Sequence, residues 1–224
     1  MTSQIRQNFQ DECITGINNV INTYMRGAYC CMSLWQYFCR DDMALYNVGR
    51  FFECVGEIKS RKARQLICYM NQRGGRVIFK DITAPEKNEW GTVQEACEKV
   101  LECEKTLNQE LLRLHDLAEK NKDWQLCDYL EKNFLKDMVK HIEELGWIIT
   151  NLRRVGKGVG EFLFDAQYFT DTGKIHTPNL VNEDVMNRCK YLVTQEVKNR
   201  CLGGMSVDAE GVQKCMKNFT IRDL

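Results

Sequence analysis

The chain has 224 residues, a formal net charge of zero and 44% apolar residues. That length suits one large domain, or one domain with an appendage, and the apolar share excludes wholesale disorder. The balanced charge excludes a protein that coats nucleic acid by bulk charge, although a local basic patch stays compatible with it. No stretch approaches the roughly eighteen uninterrupted apolar residues of a membrane span. The opening MTSQIRQNFQ is polar from its first residues, unlike a secretory leader, so the expectation is a cytoplasmic protein with no membrane partner.

Only two prolines occur, Pro85 and Pro178. Proline scarcity with long periodic segments predicts an all-α chain with joints near 74–91 and 171–181. The first segment spans about 10–39, with Ile14, Ile17, Ile21, Tyr24, Ala28, Cys31, Trp35 and Phe38 spaced by three and four. The second spans about 46–73 and stops at NQRGGR, where Gly74 and Gly75 supply the cap. The following RVIFKDITAPEKNEWG is too long for a tight turn and has to cross the length of the molecule. A third segment, about 92–121, carries Val93, Ala96, Val100, Glu104, Leu107, Leu111, Leu114 and Ala118. A fourth, about 124–155, carries Leu130, Phe134, Met138, His141, Leu145, Ile148 and Leu152. Two helices, a long crossover and two more helices make a four-helix bundle. GEFLFDAQYF adds a short fifth helix. TDTGKIHTPNL then reads as a linker, and two further helices are expected around NEDVMNRCKYLVTQEVKNRC and SVDAEGVQKCMKNF. The domains are therefore 1–170 for the bundle with its fifth helix and 171–224 for a helical extension.

Three stripes carry polar residues at mid-length: Lys59 and Lys62, then Glu104, then His141. Buried charges require partners. One reading pairs both lysines with Glu104, their stems packing along apolar neighbours. The other is a metal site, which in such bundles takes inward carboxylates and histidine from all four helices. Two cations at the centre argue against metal.

The twelve cysteines include no CxxC pair, which leaves a zinc ribbon or thioredoxin-type site unsupported. They read as small core hydrophobes or as redox-controlled thiols. Cys30 and Cys31 cannot both face the core, so one of them is a candidate for exposure. Together with Cys189, Cys201 and Cys215 they are the redox candidates.

SQIRQNF, RDDMAL, NQRGGR, EKTLNQELLRLHDLA, LCDYLEKNFL, ELGWIITNLRR and GEFLFD together resemble a eukaryotic cytosolic ferritin subunit over about residues 2–170. The resemblance implies a twenty-four-subunit shell built from copies of the chain, with the 171–224 extension inside its cavity. It also assigns the oxidising centre to positions held here by Tyr24, Lys59, Lys62, Glu104 and Met138. Only Glu104 matches a ligand of the family, so no catalytic residue, metal or cofactor is expected. The acids that seed mineral in the family correspond to Ile58, Arg61 and Arg64, so nucleation is expected to be lost as well. His115, Cys127, Asp128 and Glu131 match the lining of the three-fold channels, kept either as a cation path, or for trimer contacts or by descent.

The extended tail, the cysteines and the missing ligands also resemble the artemins, a tail-extended, oxidation-dead group within the family. That resemblance implies an ATP-independent stress chaperone without iron storage, with unfolding client proteins and RNA as partners. The alternative is an inactive subunit that co-assembles with active chains and modulates iron storage.

Overall fold

A computed structural model describes residues 3–169. The expected linker and helices beyond residue 170, with Cys189, Cys201 and Cys215, lie outside the described residues. Those described form an all-α bundle: α1 (Asp11–Phe38), α2 (Tyr46–Gln72), α3 (Val93–Lys120), α4 and a short α5. α4 is continuous but not uniform, running Trp124–Leu130, then a π-helical turn Glu131–Leu135, then Lys136–Val155. α5 (Val159–Phe164) likewise ends in a π turn, Asp165–Phe169. There is no strand among the described residues.

The apolar stripes meet in one core. Ile17, Ile21 and Tyr24 of α1 pack with Leu66 and Met70 of α2, Leu107 and Leu111 of α3, and Leu130 and Phe134 of α4. α2 ends where the two glycines stand. Gly74 takes φ +72°, its N–H donates to Asn71 O and the Gly75 N–H to Met70 O, the paired bonds of a Schellman cap. α3 ends the same way at Lys122, with φ +55° and the Asp123 N–H donating to Ala118 O.

The crossover runs alongside α1. Asn18 donates to Arg76 O (3.1 Å) and accepts from the Ile78 N–H (2.9 Å), Asn22 donates to Asp81 O (3.1 Å), and the Trp90 indole donates to Ser33 Oγ (3.0 Å). Three regions of α1 thus satisfy a connection that has no ladder of its own. Thr92 and Glu95 then close a capping box that starts α3.

α5 plugs the opposite weakness. Leu45, the residue before α2, offers no capping side chain. The buried Asp165 carboxylate accepts from the Val48 N–H (2.8 Å) and from Asn47 Nδ2 (3.1 Å) instead, while Glu161 accepts from the Val93 N–H at the start of α3 (2.8 Å). Two helix N-termini are therefore capped by carboxylates delivered from α5, where the helix dipole favours negative charge.

Candidate functional site

The bundle centre holds a polar layer in an otherwise apolar core. Lys59 from α2 and Glu104 from α3 are 4% and 2% exposed and form an ion pair across the bundle. Burial opposes the lysine's charge, yet the facing Glu104 carboxylate prevails and holds the proton more tightly than on a free lysine. Gly27 makes room for the arrangement: a Cβ there would lie 3.0 Å from Lys59 Cδ and 3.7 Å from its Nζ.

Lys62 does not join this pair, contrary to the expectation that both lysines meet Glu104. It is half-buried, and its Nζ donates to Asp137 Oδ2 of α4 at 2.7 Å and to the Asn133 carbonyl inside the π turn. The reason is angular. Three helical steps turn the side chain about 60° away from Lys59, which carries it from α3 towards α4. Its ammonium also lies 5.1 Å from the centre of the Phe134 ring.

Tyr24, Met138 and His141 line the same small cavity as Lys59, Lys62 and Glu104. Burial, with Glu104 and Asp137 adding, pushes the Tyr24 phenol well above the usual tyrosine value, so it is a neutral hydroxyl rather than a phenolate. These donors do not fit a pair of ferrous ions. An ammonium bonds each of the two carboxylates, the phenol is uncharged, and Met138 offers a soft thioether where hard oxygen is required.

The positions matched to mineral seeding divide. Arg61 and Arg64 are exposed on α2, whereas Ile58 is half-buried and lines the central cavity. At the matched channel positions, His115 Nε2 lies 2.7 Å from Glu131 Oε1, and Asp128 pairs with Lys132 at 2.7 Å. Cys127 is buried behind them, its thiol donating weakly to His115 O (4.0 Å). Asp116 and Glu119 place their oxygens within 4.8 Å of the His115 ring nitrogen on the same exposed face of α3.

The nine described cysteines are all free thiols. Cys31 is the buried member of its pair and Cys30 the half-exposed one. Cys30 shares a hydrogen bond with Cys103 of α3, which sequence reasoning did not single out. That bond, helped by Lys59 and Lys99 against the effect of burial, draws Cys103 down to about 7; the same bond and burial push Cys30 up. Sequence reasoning also missed Asp137 and a second pair, half-buried Arg73 with buried Asp123. The Arg73 guanidinium reaches both Asp123 oxygens (3.0–3.2 Å), donates to Asn8 O (3.1 Å) and lies 4.6 Å from the Phe9 ring centre. Asp123, 1% exposed, also accepts from the Leu126 N–H (3.1 Å) and so starts α4. The signal was the arginine inside NQRGGR, read only for its glycines.

A ferritin-like domain profile matches residues 14–155. The chain is 44% identical over 168 residues to the ferritin middle subunit of Aquarana catesbeiana, covering 74% of this chain and 96% of that protein. It is 45% identical over 165 residues to the soma ferritin of Lymnaea stagnalis (74% and 95%), and 45% over 168 residues to the ferritin light chain of Bos taurus (74% and 96%).

Proposed function

The chain belongs to the ferritin family, and from that premise we propose that it is a non-oxidising shell subunit, assembling with copies of itself and leaving ferrous ion unoxidised. The observation that carries this reading is the Lys59 ammonium bonded to Glu104 at the bundle centre. It neutralises the one carboxylate retained at the matched ligand positions and repels any cation approaching it. Ferrous oxidation by the purified assembly tests the reading. The parent is expected to match the buffer rate. A variant with Tyr24→Glu, Lys59→Glu, Lys62→His and Met138→Gln, which restores the family's ligand types, is expected to exceed it. A parent rate above buffer that falls with Glu104→Gln overturns the reading.

Two tasks fit such a subunit. One is to hold unfolding client proteins without ATP, with RNA as a further ligand. Support comes from large apolar side chains left outward on the α4 protomer surface: Trp124 at 64% exposure, Val139 at 69% and Trp147 at 54%. Light scattering of a heated client measures this; no suppression at stoichiometric ratios removes it. Exposed Arg61 and Arg64 are the cations that RNA would meet on α2, and salt-dependent retention of RNA checks that element. The other task is co-assembly with oxidising chains whose iron loading this subunit limits, favoured by the retained His115–Glu131 pair and Asp128. Mixed refolding with an oxidising ferritin subunit measures it, and strict self-sorting rules it out.

A further inference from the structure

Cys30 of α1 and Cys103 of α3 both line a cavity of about 210 Å³ lying between α1, α3 and the Thr83–Glu86 part of the crossover. Trp90 and Pro85 supply apolar wall; Arg26 and Lys99 line it too, with Lys99 paired to the lining carboxylates of Glu86 and Glu102. Lys59 reaches the cavity from the bundle core past the bare backbone of Gly27. Cys13, Cys31 and Cys97 are at most 2% exposed and closed to outside reagents, whereas Cys30 and Cys103 are partly exposed; Cys39 and Cys68 are more exposed but do not line this cavity. A lysine ammonium beside two thiols disfavours a metal cation and favours a thiolate, the species that attacks disulfides.

We propose that this cavity is a thiol–disulfide exchange site that takes a small disulfide of the glutathione class and ends with Cys30 bonded to Cys103, tying α1 to α3. The Cys103 thiolate attacks one sulfur of the small disulfide. The S–S bond breaks, one small thiolate leaves with the electron pair, and a mixed disulfide forms on Cys103. Cys30 then loses its proton to solvent and attacks the Cys103 sulfur, expelling the second small thiolate. The protein's two thiols lose two electrons and two protons, and the small disulfide is reduced to two thiols. Both thiols line the one cavity, so a mixed disulfide on Cys103 forms on the side from which Cys30 approaches. This reaction does not depend on the iron chemistry of the chain.

Incubation of the full-length assembly with oxidised glutathione, followed by peptide mapping with fragmentation between residues 30 and 31, tests the proposal. The expected product is an intrasubunit Cys30–Cys103 link that dithiothreitol reverses. Cys30→Ser is expected to stop the reaction halfway, with glutathione held on Cys103. Cys31→Ser is expected to leave the link intact. Free Cys30 and Cys103 after incubation, a link through Cys31 instead, or an unmodified Cys103 in Cys30→Ser each overturn it.

Discussion

Lys59→Met removes the ammonium and leaves Glu104, 2% exposed, as a carboxylate without its cation. Removing one partner of a buried ion pair costs about 3–5 kcal/mol, because the remaining charge stays desolvated. At roughly 2–4 °C per kcal/mol for a domain of this size, the thermal midpoint should fall by about 6–20 °C. Replacing both partners with apolar side chains, Lys59→Met with Glu104→Leu, should recover most of the loss, since a packed apolar pair is often as stable as the ionic one. The cycle of single and double variants should therefore show a coupling of about 2 kcal/mol or more. Calorimetric scans of the assembled variants supply the four midpoints. The pH dependence has a definite sign. Lys59 binds its proton more tightly in the folded chain, so its contribution is complete below the unfolded lysine value of about 10.4 and fades as pH rises through the folded one. The midpoint difference between parent and Lys59→Met should accordingly narrow only in strong alkali. Single variants within about 1 kcal/mol of the parent, or additive losses in the double variant, refute the account of this pair as the bundle's central lock.

Gly27→Ala should gain about 1 kcal/mol from helix propensity alone, but its Cβ would press on Lys59 Cδ at 3.0 Å. Denaturation should show no gain in the parent and the full gain in a Lys59→Ala/Glu104→Leu background. Arg73→Ala strands the buried Asp123 carboxylate and should cost about 3–5 kcal/mol by the same measurement, with Arg73→Lys intermediate because one ammonium cannot span both oxygens. Alkylation of Cys103 should be half-maximal near its value of about 7. Cys30→Ala should move that midpoint upward furthest, because its hydrogen bond contributes most, and Lys59→Met should move it upward less, with Lys99 still lowering and Glu104 still raising it.

The four stripes, the crossover and the fifth helix were legible because each is a one-dimensional pattern: a period, a break, a cap. The partner of Lys62 was not. Spacing along α2 says which face a residue shares, but not which of two flanking helices meets that face, and Asp137 on its own reads as an ordinary surface acid. The Cys30–Cys103 contact was hidden in the same way. Each cysteine sits one step from a core position, Cys31 and Glu104, so each points sideways, and only the packing of α1 beside α3 brings the two together. The π turn, by contrast, was written in the sequence and could have been read. Leu126, Leu130, Phe134 and Met138 are all at most 2% exposed and succeed one another by four. Three consecutive steps of four would carry an α-helical stripe about 120° around the axis and out of the core. A wider turn with i→i+5 bonds absorbs that drift, and Glu131–Leu135 is where it falls. Beyond it the stripe returns to alternating steps of three and four through His141, Leu145, Ile148 and Leu152. The turn that keeps Phe134 and Met138 in the core also carries the Asn133 carbonyl that receives Lys62. The irregular backbone and the displaced lysine are thus parts of one local solution to a stripe spaced by four.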